Sequence, residues 1–361
     1  LADVSRGGYL PALAGVLANL SIRLAEVGRR AEALAAAQQA VDLWQELAEF
    51  NRDLGLPNLA LSMNSLANQL AEAGRRAEAL AAARQAADLY RELVELDRDA
   101  HLPALATMMS NLAMRLAEAG QQADGLAAAQ QATELWQDLV AVNRDAHLPA
   151  LAATVTNLSI LLGNAGRRTE ALAAAQQAVD LSQALVAVDH DAHLPNLATS
   201  MNNLTAALAT LGWWPQALAA AQRALSLWQE LVTVNRDAYL PDLAMALTNL
   251  ATALTTVGLR VEGFTAAQQA VALRQELVAV NRDAYLPDLA MAVHNLAASL
   301  TTVGMWTEGL VAAQRAIDLY RELTTKQPGL FDQQLQNAQS LHRLIQDDQA
   351  NEERSVHDNQ L

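Results

Sequence analysis

Apolar residues recur at three- and four-residue spacing near the start of the chain, a spacing that places them on one face of a helix. This stripe consists of Leu13, Val16, Leu17, Leu20 and Leu24. We predict that Leu10-Pro11 opens this helix, since proline suits the first helical turn. Gly28 ends it, because a glycine can take the left-handed conformation without a Cβ penalty. A second stripe, rich in alanine, predicts another helix from about Ala31 to Arg52.

The same helix–turn–helix pattern returns every 46 residues without insertion or deletion. The spacing is kept by seven prolines and seven glycines: Pro11, Pro57, Pro103, Pro149, Pro195, Pro241 and Pro287, with Gly28, Gly74, Gly120, Gly166, Gly212, Gly258 and Gly304. A fixed period of this length is typical of stacked repeats, in which each unit buries its apolar face against its neighbours. The pattern therefore predicts an all-α solenoid.

The pattern divides the chain into four segments. Residues 9–326 form seven repeats, and residues 327–345 are predicted to form a capping helix, because Gln327-Pro328-Gly329 breaks the period. Residues 346–361 are acidic and rich in amides, which predicts a disordered tail. Residues 1–8 align with the end of a second helix, so we expect them to end a preceding, truncated repeat.

Composition and charge narrow the classes of partner. The chain is 52% hydrophobic but only 4% aromatic, which is typical of closely packed helices rich in alanine and leucine. Its formal net charge is −15, so nucleic acid and anionic membranes are poor partners, and a neutral to basic protein or peptide fits better. The sequence shows neither a signal peptide nor an apolar run of spanning length, and a cytoplasmic location is expected.

The second repeat carries a recognisable signature of small and large positions: Leu66, Ala67, Leu70, Gly74, Arg75, Glu78, Ala79, Leu80 and Ala86. This signature resembles the tetratricopeptide repeat. The long unit with its Asn-Leu-Ala motif most resembles the kinesin-light-chain-like subclass, which is common in bacterial multidomain proteins. The resemblance implies a right-handed superhelix whose first helices line a concave groove. It also implies a non-enzymatic scaffold that binds a peptide or another protein's helix.

One asparagine recurs in the first helix of nearly every repeat. The resulting asparagine series is Asn19, Asn111, Asn157, Asn203, Asn249 and Asn295, with Ser65 in the second repeat and with Asn64, Asn202 and His294 beside it. By the resemblance, such residues form a ladder that binds a peptide backbone, since an amide both donates and accepts hydrogen bonds. The alternative is that each asparagine bonds to a neighbouring helix inside the stack.

Aromatic residues and histidines suggest packing more than chemistry. Trp44, Tyr90, Trp136, Trp228 and Tyr320 share one position of the second helix, where we expect packing between units. Trp213 and Trp214 fall in a turn, where they form a contact patch or fold back over the stack. His101, His147 and His193 lie one repeat apart, too far for a shared metal site. We therefore predict neither catalytic residues, nor a metal, nor a cofactor.

A second function remains open at this stage. By the resemblance, bacterial proteins of this design place an ATPase, a protease or a DNA-binding domain ahead of such repeats. The chain is then the C-terminal sensing region of a larger effector or regulator, which a ligand in the groove would switch.

Overall fold

The protein was analysed as a computed structural model that describes residues 2–26 and 28–358, with side chains for residues 9–25 and 28–350. Within these residues the chain forms fifteen α-helices and no strand. They are α1 (Ala2–Glu26), α2 (Arg30–Phe50), α3 (Arg52–Glu72), α4 (Arg76–Leu96), α5 (Arg98–Glu118), α6 (Gln122–Val142), α7 (Arg144–Asn164), α8 (Arg168–Val186), α9 (His190–Thr210), α10 (Trp214–Val234), α11 (Arg236–Thr256), α12 (Arg260–Val280), α13 (Arg282–Thr302), α14 (Trp306–Lys326) and α15 (Asp332–Asp358).

The turn inside each hairpin is made by the predicted glycine. Gly74 adopts a φ of +75°, where a side chain would be strained. The next residue, Arg75, donates its backbone N–H to the Leu70 carbonyl at 2.8 Å, which satisfies one of the last carbonyls of α3. All seven glycines of the series have a positive φ. The predicted ends of the first helices are therefore confirmed.

The prediction for the start of the first helices was wrong. Helix α3 begins at Arg52, so Pro57 lies inside the helix instead of opening it. Asn51 ends α2 and caps α3, because its side-chain oxygen accepts a hydrogen bond from the Leu54 N–H at 3.2 Å. The proline removes only one helical hydrogen bond, which this cap offsets. The same cap opens α5, α7, α9, α11 and α13, at Asp97, Asn143, Asp189, Asn235 and Asn281.

The two ends of the chain also differ from the expectation. Helix α1 runs without a break from Ala2, so residues 2–8 continue into the first repeat and do not form a separate helix end. Helix α15 runs from Asp332 to Asp358 and so includes most of the predicted tail. Polarity alone does not stop a helix, and this segment is rich in glutamine, glutamate and aspartate without proline or glycine. Leu1 and residues 359–361 lie outside the described residues.

The chain divides into two units, which we describe separately. Unit 1 (Leu1–Leu181) contains α1–α7 and the start of α8, and unit 2 (Ser182–Leu361) contains the end of α8 and α9–α15. In each unit successive helices pack against one another, and alanine and leucine fill the core. The aromatic position of the second helix is buried at Trp44, Tyr90, Trp136, Trp228 and Tyr320, which confirms the expected packing role.

One helix, α7 (Arg144–Asn164), is long and apolar enough to span a membrane by length and composition. Half of its apolar window is buried inside the protein, as expected for a core helix of a repeat stack. Its burial and its place in the repeat make a core role the simpler interpretation.

Candidate functional site

Each first helix presents one polar stripe that its neighbours do not cover. In α3 this first-helix stripe consists of Leu61, Ser65, Asn68 and Glu72, which are exposed or half-buried. They follow one another at spacings of four, three and four residues and therefore lie on one face of the helix. The asparagine series occupies the position of Ser65. Periodicity thus places the asparagines on the uncovered face of the first helices.

In unit 1 the stripes of α1 and α3 line a cavity of about 760 Å³, which we call the α1–α3 cavity. Its lining is mostly amide, small and apolar: Gly15, Ala18, Asn19, Ile22, Ala25, Trp44, Asn58, Leu61, Ser62, Asn64, Ser65, Asn68, Gln69 and Glu72. Two predicted site residues, Asn19 and Asn64, are therefore brought together here. The volume falls in the range of ligand-binding clefts, about 300–1,000 Å³.

A second cavity of about 470 Å³ lies beside the first, between α3 and α5. Its lining is charged: Asn68, Ala71, Glu72, Arg76, Arg115 and Glu118. Asn68 and Glu72 line both cavities, so the two form one groove across the first helices of unit 1. Within the second cavity Arg115 forms an ion pair with Glu118 at 2.9 Å.

Some of the predicted site residues in unit 1 form hydrogen bonds between neighbouring first helices. Asn111 donates from its Nδ2 to the Oδ1 of Asn64 at 2.9 Å, which joins α5 to α3. Ser110 and Thr154, on α5 and α7, lie within hydrogen-bonding distance of each other at 3.0 Å between their hydroxyl oxygens. The structural alternative for the asparagines therefore holds for this pair. Asn19 is exposed and Asn157 half-buried.

In unit 2 the same positions carry unused hydrogen-bonding capacity. Asn202 is only 4% exposed, and its Oδ1 has no hydrogen-bond partner within the described part of the chain. The same is true of the Nδ2 of Asn203 and the Nδ1 of His294. A buried polar atom without a partner costs about 1–3 kcal/mol, so a hydrogen-bond partner for any of these three atoms would stabilise the protein. Asn249 and Asn295 are half-buried.

Burial also affects the histidine of this set. It lowers the pKa of His294 below its usual range, because desolvation disfavours the charged imidazolium. His294 therefore stays neutral at physiological pH and offers one donor and one acceptor, as the asparagines do.

Several residues of the cavity lining were not predicted from the sequence. Asn58, Leu61, Gln69 and Glu72 complete the wall of the α1–α3 cavity. The signal was present in the spacing, since Leu61 and Glu72 lie on the same helical face as Ser65.

The tryptophan pair in the fifth repeat is only partly exposed. Trp213 is 50% exposed in the turn before α10, whereas Trp214 is half-buried at the start of that helix. Exposed apolar residues also follow in the next turn of unit 2, at Leu259 and Val261. One ring therefore faces solvent and the other is partly covered, and a contact role for the pair stays a prediction.

The repeated histidines pack against the aromatic position. The rings of His101 and Tyr90 lie 6.3 Å apart, and those of His147 and Trp136 lie 5.8 Å apart, between centroids. Tyr239 takes the same place beside Trp228 at 6.0 Å. These contacts support the packing role expected for this position.

Comparison with known proteins agrees with this architecture. The stacked helical hairpins and the polar face of the first helices define an α-helical repeat scaffold. The family described as Tetratricopeptide repeat matches residues 13–51, 59–101, 151–192 and 197–232. The matched segments are therefore tetratricopeptide repeats, as the signature in the second repeat indicated. None of the curated proteins matches it significantly.

Solved structures of the same fold include three informative relatives. BtubC (BKLC) from P. vanneervenii has a TM-score of 0.54 and 19% identity, over 68% of this chain and 91% of that one. A protein described as a kinesin light chain from Podosopora anserina has a TM-score of 0.50 and 19% identity, over 63% and 98%. A Rap protein complexed with competence and sporulation factor has a TM-score of 0.52 and 12% identity, over 93% and 99%. At these identities the likeness shows the fold.

Proposed function

We propose that the chain is a non-enzymatic scaffold whose first-helix grooves bind a peptide or an extended segment of another protein. The observation that carries this proposal is the groove of unit 1, where a cavity lined mainly by amide and apolar side chains adjoins a smaller one with a charged lining. A groove of amides suits a peptide backbone, since each amide offers a donor and an acceptor irrespective of the peptide's sequence.

The exposed apolar residues of the stripe would supply anchoring contacts. Leu61 in unit 1 and Met245 and Met291 in unit 2 occupy equivalent positions and are exposed. Methionine is well suited to binding varied partners, because its side chain is flexible and polarisable. The Rap protein complexed with competence and sporulation factor supports the proposal, because a protein of this fold there holds a ligand.

The partner proposed is a neutral to basic protein or peptide in the cytoplasm. The formal net charge of −15 attracts a basic partner over long range. Association should accordingly slow as ionic strength rises, since salt screens this attraction.

Selection from a random 12-residue peptide library displayed on phage tests the proposal, followed by calorimetric titration of a selected peptide. Replacing Asn157, Asn203 and Asn249 together by alanine should weaken binding about tenfold or more, because hydrogen-bonding groups of the groove are lost. The matched control replaces Gln130, Gln176 and Gln222 by alanine, which removes three exposed amides from second helices. Equal losses in both variants, or unfolding of the asparagine variant by circular dichroism, would contradict the groove assignment.

One observation favours a second function, that of a sensing region in a larger effector or regulator. Leu13 and Leu20 of α1 are 50% and 45% exposed, whereas their counterparts Leu59 and Leu66 in α3 are each 6% exposed. This apolar face of α1 can pack a further segment of such a protein, whose activity the groove would then control. Sequencing the complete gene tests this: an upstream ATPase, protease or DNA-binding domain supports it, and further repeats alone contradict it.

A further inference from the structure

The lining of the α1–α3 cavity differs from a purely amide groove because it includes a carboxylate, that of Glu72. We propose that this cavity binds a basic side chain of the peptide, an arginine or a lysine, which sets the register of the peptide in the groove of unit 1. The inference rests on the proposed function and names the ligand chemistry of the same site.

The first observation is a carboxylate that forms no ion pair with any residue the structure describes. Glu72 is the charged residue among the fourteen that line the cavity. The structure shows no ion pair for Glu72 among the residues that it describes, and nearby arginines are engaged elsewhere: Arg75 with Glu78 at 2.5 Å, and Arg115 with Glu118 at 2.9 Å. Arg76 lines only the neighbouring cavity. A cation entering the α1–α3 cavity would therefore meet a carboxylate that is free to pair with it.

The second observation is a buried acceptor without a donor. Gln69 is only 7% exposed, lines the cavity, and its Oε1 has no hydrogen-bond partner within the described residues. Guanidinium and ammonium groups only donate hydrogen bonds. A basic side chain thus satisfies both the carboxylate of Glu72 and the amide oxygen of Gln69, whereas an acidic side chain would satisfy neither.

The walls of the cavity suit the rest of such a side chain. Ile22 and Leu61 are exposed and apolar and can cover the aliphatic stem of arginine or lysine. Trp44 forms part of the lining, and an indole ring attracts a cation at its face. A volume of about 760 Å³ accommodates this side chain together with part of the peptide backbone.

In the described part of the chain, the later repeats do not offer a second unpaired carboxylate at this position. The residues at the position of Glu72 in the later repeats are Glu118, Asn164, Thr210, Thr256 and Thr302. Glu118 is already paired with Arg115, and the others are neutral. Glu72 lines both cavities of unit 1, but the second cavity also contains Arg76 and Arg115, which repel a cation. A basic residue of the peptide therefore has one preferred place, the α1–α3 cavity.

The test selects from the random 12-residue phage library on the wild-type chain and on the Glu72→Gln variant. We expect arginine or lysine at one fixed position among wild-type binders and no such enrichment with the variant. Titration of a selected peptide should then show about tenfold weaker binding when its arginine is replaced by citrulline, which is similar in shape but neutral. Selection of lysine in place of arginine would be tested in the same way with acetyl-lysine.

The matched control is Glu95→Gln, which removes an exposed carboxylate that lines neither cavity and should keep the preference for the basic peptide. Gln69→Leu, which places the residue found at the equivalent Leu161, should weaken the basic peptide more than its neutral counterpart. Equal affinity of the basic and neutral peptides would overturn this inference and leave the proposed function standing. Failure to select any peptide would overturn both.

Discussion

Arg274 donates from its Nη1 to the Oδ2 of Asp288 at 2.5 Å, with the arginine 3% exposed and the aspartate 42% exposed. Arg274 stands where other repeats bury tryptophan or tyrosine, so unit 2 contains a buried cation at an aromatic position. Burial lowers the pKa of Arg274, while Asp288 and Asp242 oppose the change. The pKa of Asp242 is itself raised by burial.

Because Arg274 is more deeply buried than Asp288, replacing one partner of this ion pair should lower the free energy of unfolding more than replacing the other. Asp288→Asn leaves the guanidinium buried without its nearest counter-charge and should lower the free energy of unfolding by about 3 kcal/mol. Arg274→Met leaves a carboxylate that water can reach, and should cost less, about 1 kcal/mol. Urea denaturation followed by circular dichroism measures both. A larger loss for Arg274→Met would contradict the assigned roles.

Truncation of a tryptophan should lower the free energy of unfolding more at the buried aromatic position of the second helix than in the turn before α10. Trp228→Ala removes a buried ring and should cost about 3–5 kcal/mol, whereas Trp213→Ala, at a half-exposed ring, should cost about 0.5 kcal/mol or less. Trp228→Tyr serves as the conservative control, because Tyr90 and Tyr320 fill the equivalent positions. Thermal denaturation of the three variants provides the comparison, and similar losses for both alanine variants would oppose the assignment.

The caps between repeats can be tested at Asn143, whose side chain accepts from the Ala146 N–H at 3.2 Å. Asn143→Ala should cost about 1 kcal/mol, because α7 loses its cap. Asn143→Asp should be nearly neutral, since Asp97 and Asp189 cap α5 and α9 in the same way. Chemical denaturation measures both variants. An equal loss for aspartate would argue against a capping role.

Burial of His294 predicts that part of the free energy of unfolding depends on pH. Because burial lowers the pKa of His294 from 6.5, the unfolded chain binds a proton more readily than the folded chain between the lowered pKa and 6.5. The contribution of His294 is therefore fully present above pH 6.5 and is lost as pH falls through the folded pKa. His294→Thr, which introduces the residue type of Thr248 in the preceding repeat, should remove this component. Unfolding midpoints of both proteins across this range provide the measurement, and identical pH profiles would contradict the prediction.

The local features of the fold were predictable from the sequence. Helical spacing of leucine and alanine indicated the hairpins, and the turn glycines were recognisable because only glycine adopts their positive φ without strain. The burial of Trp44, Tyr90 and Trp136 also followed from their place on the apolar stripe. The helix starts were mistaken at Pro57, where a nearby side-chain cap outweighs a single backbone preference.

The chemistry of the site depended on the tertiary structure. Asn64 and Asn111 occupy similar positions to Asn202 and Asn203 in the sequence, yet the first two bond to each other and the last two keep unpartnered atoms. Likewise Glu72 and Glu118 are equivalent in the repeat, but within the described residues only Glu118 is paired with an arginine. A sequence by itself determines which helical face a residue occupies, because that depends on local periodicity. Which of its polar atoms find partners is decided only when helices from different repeats come together.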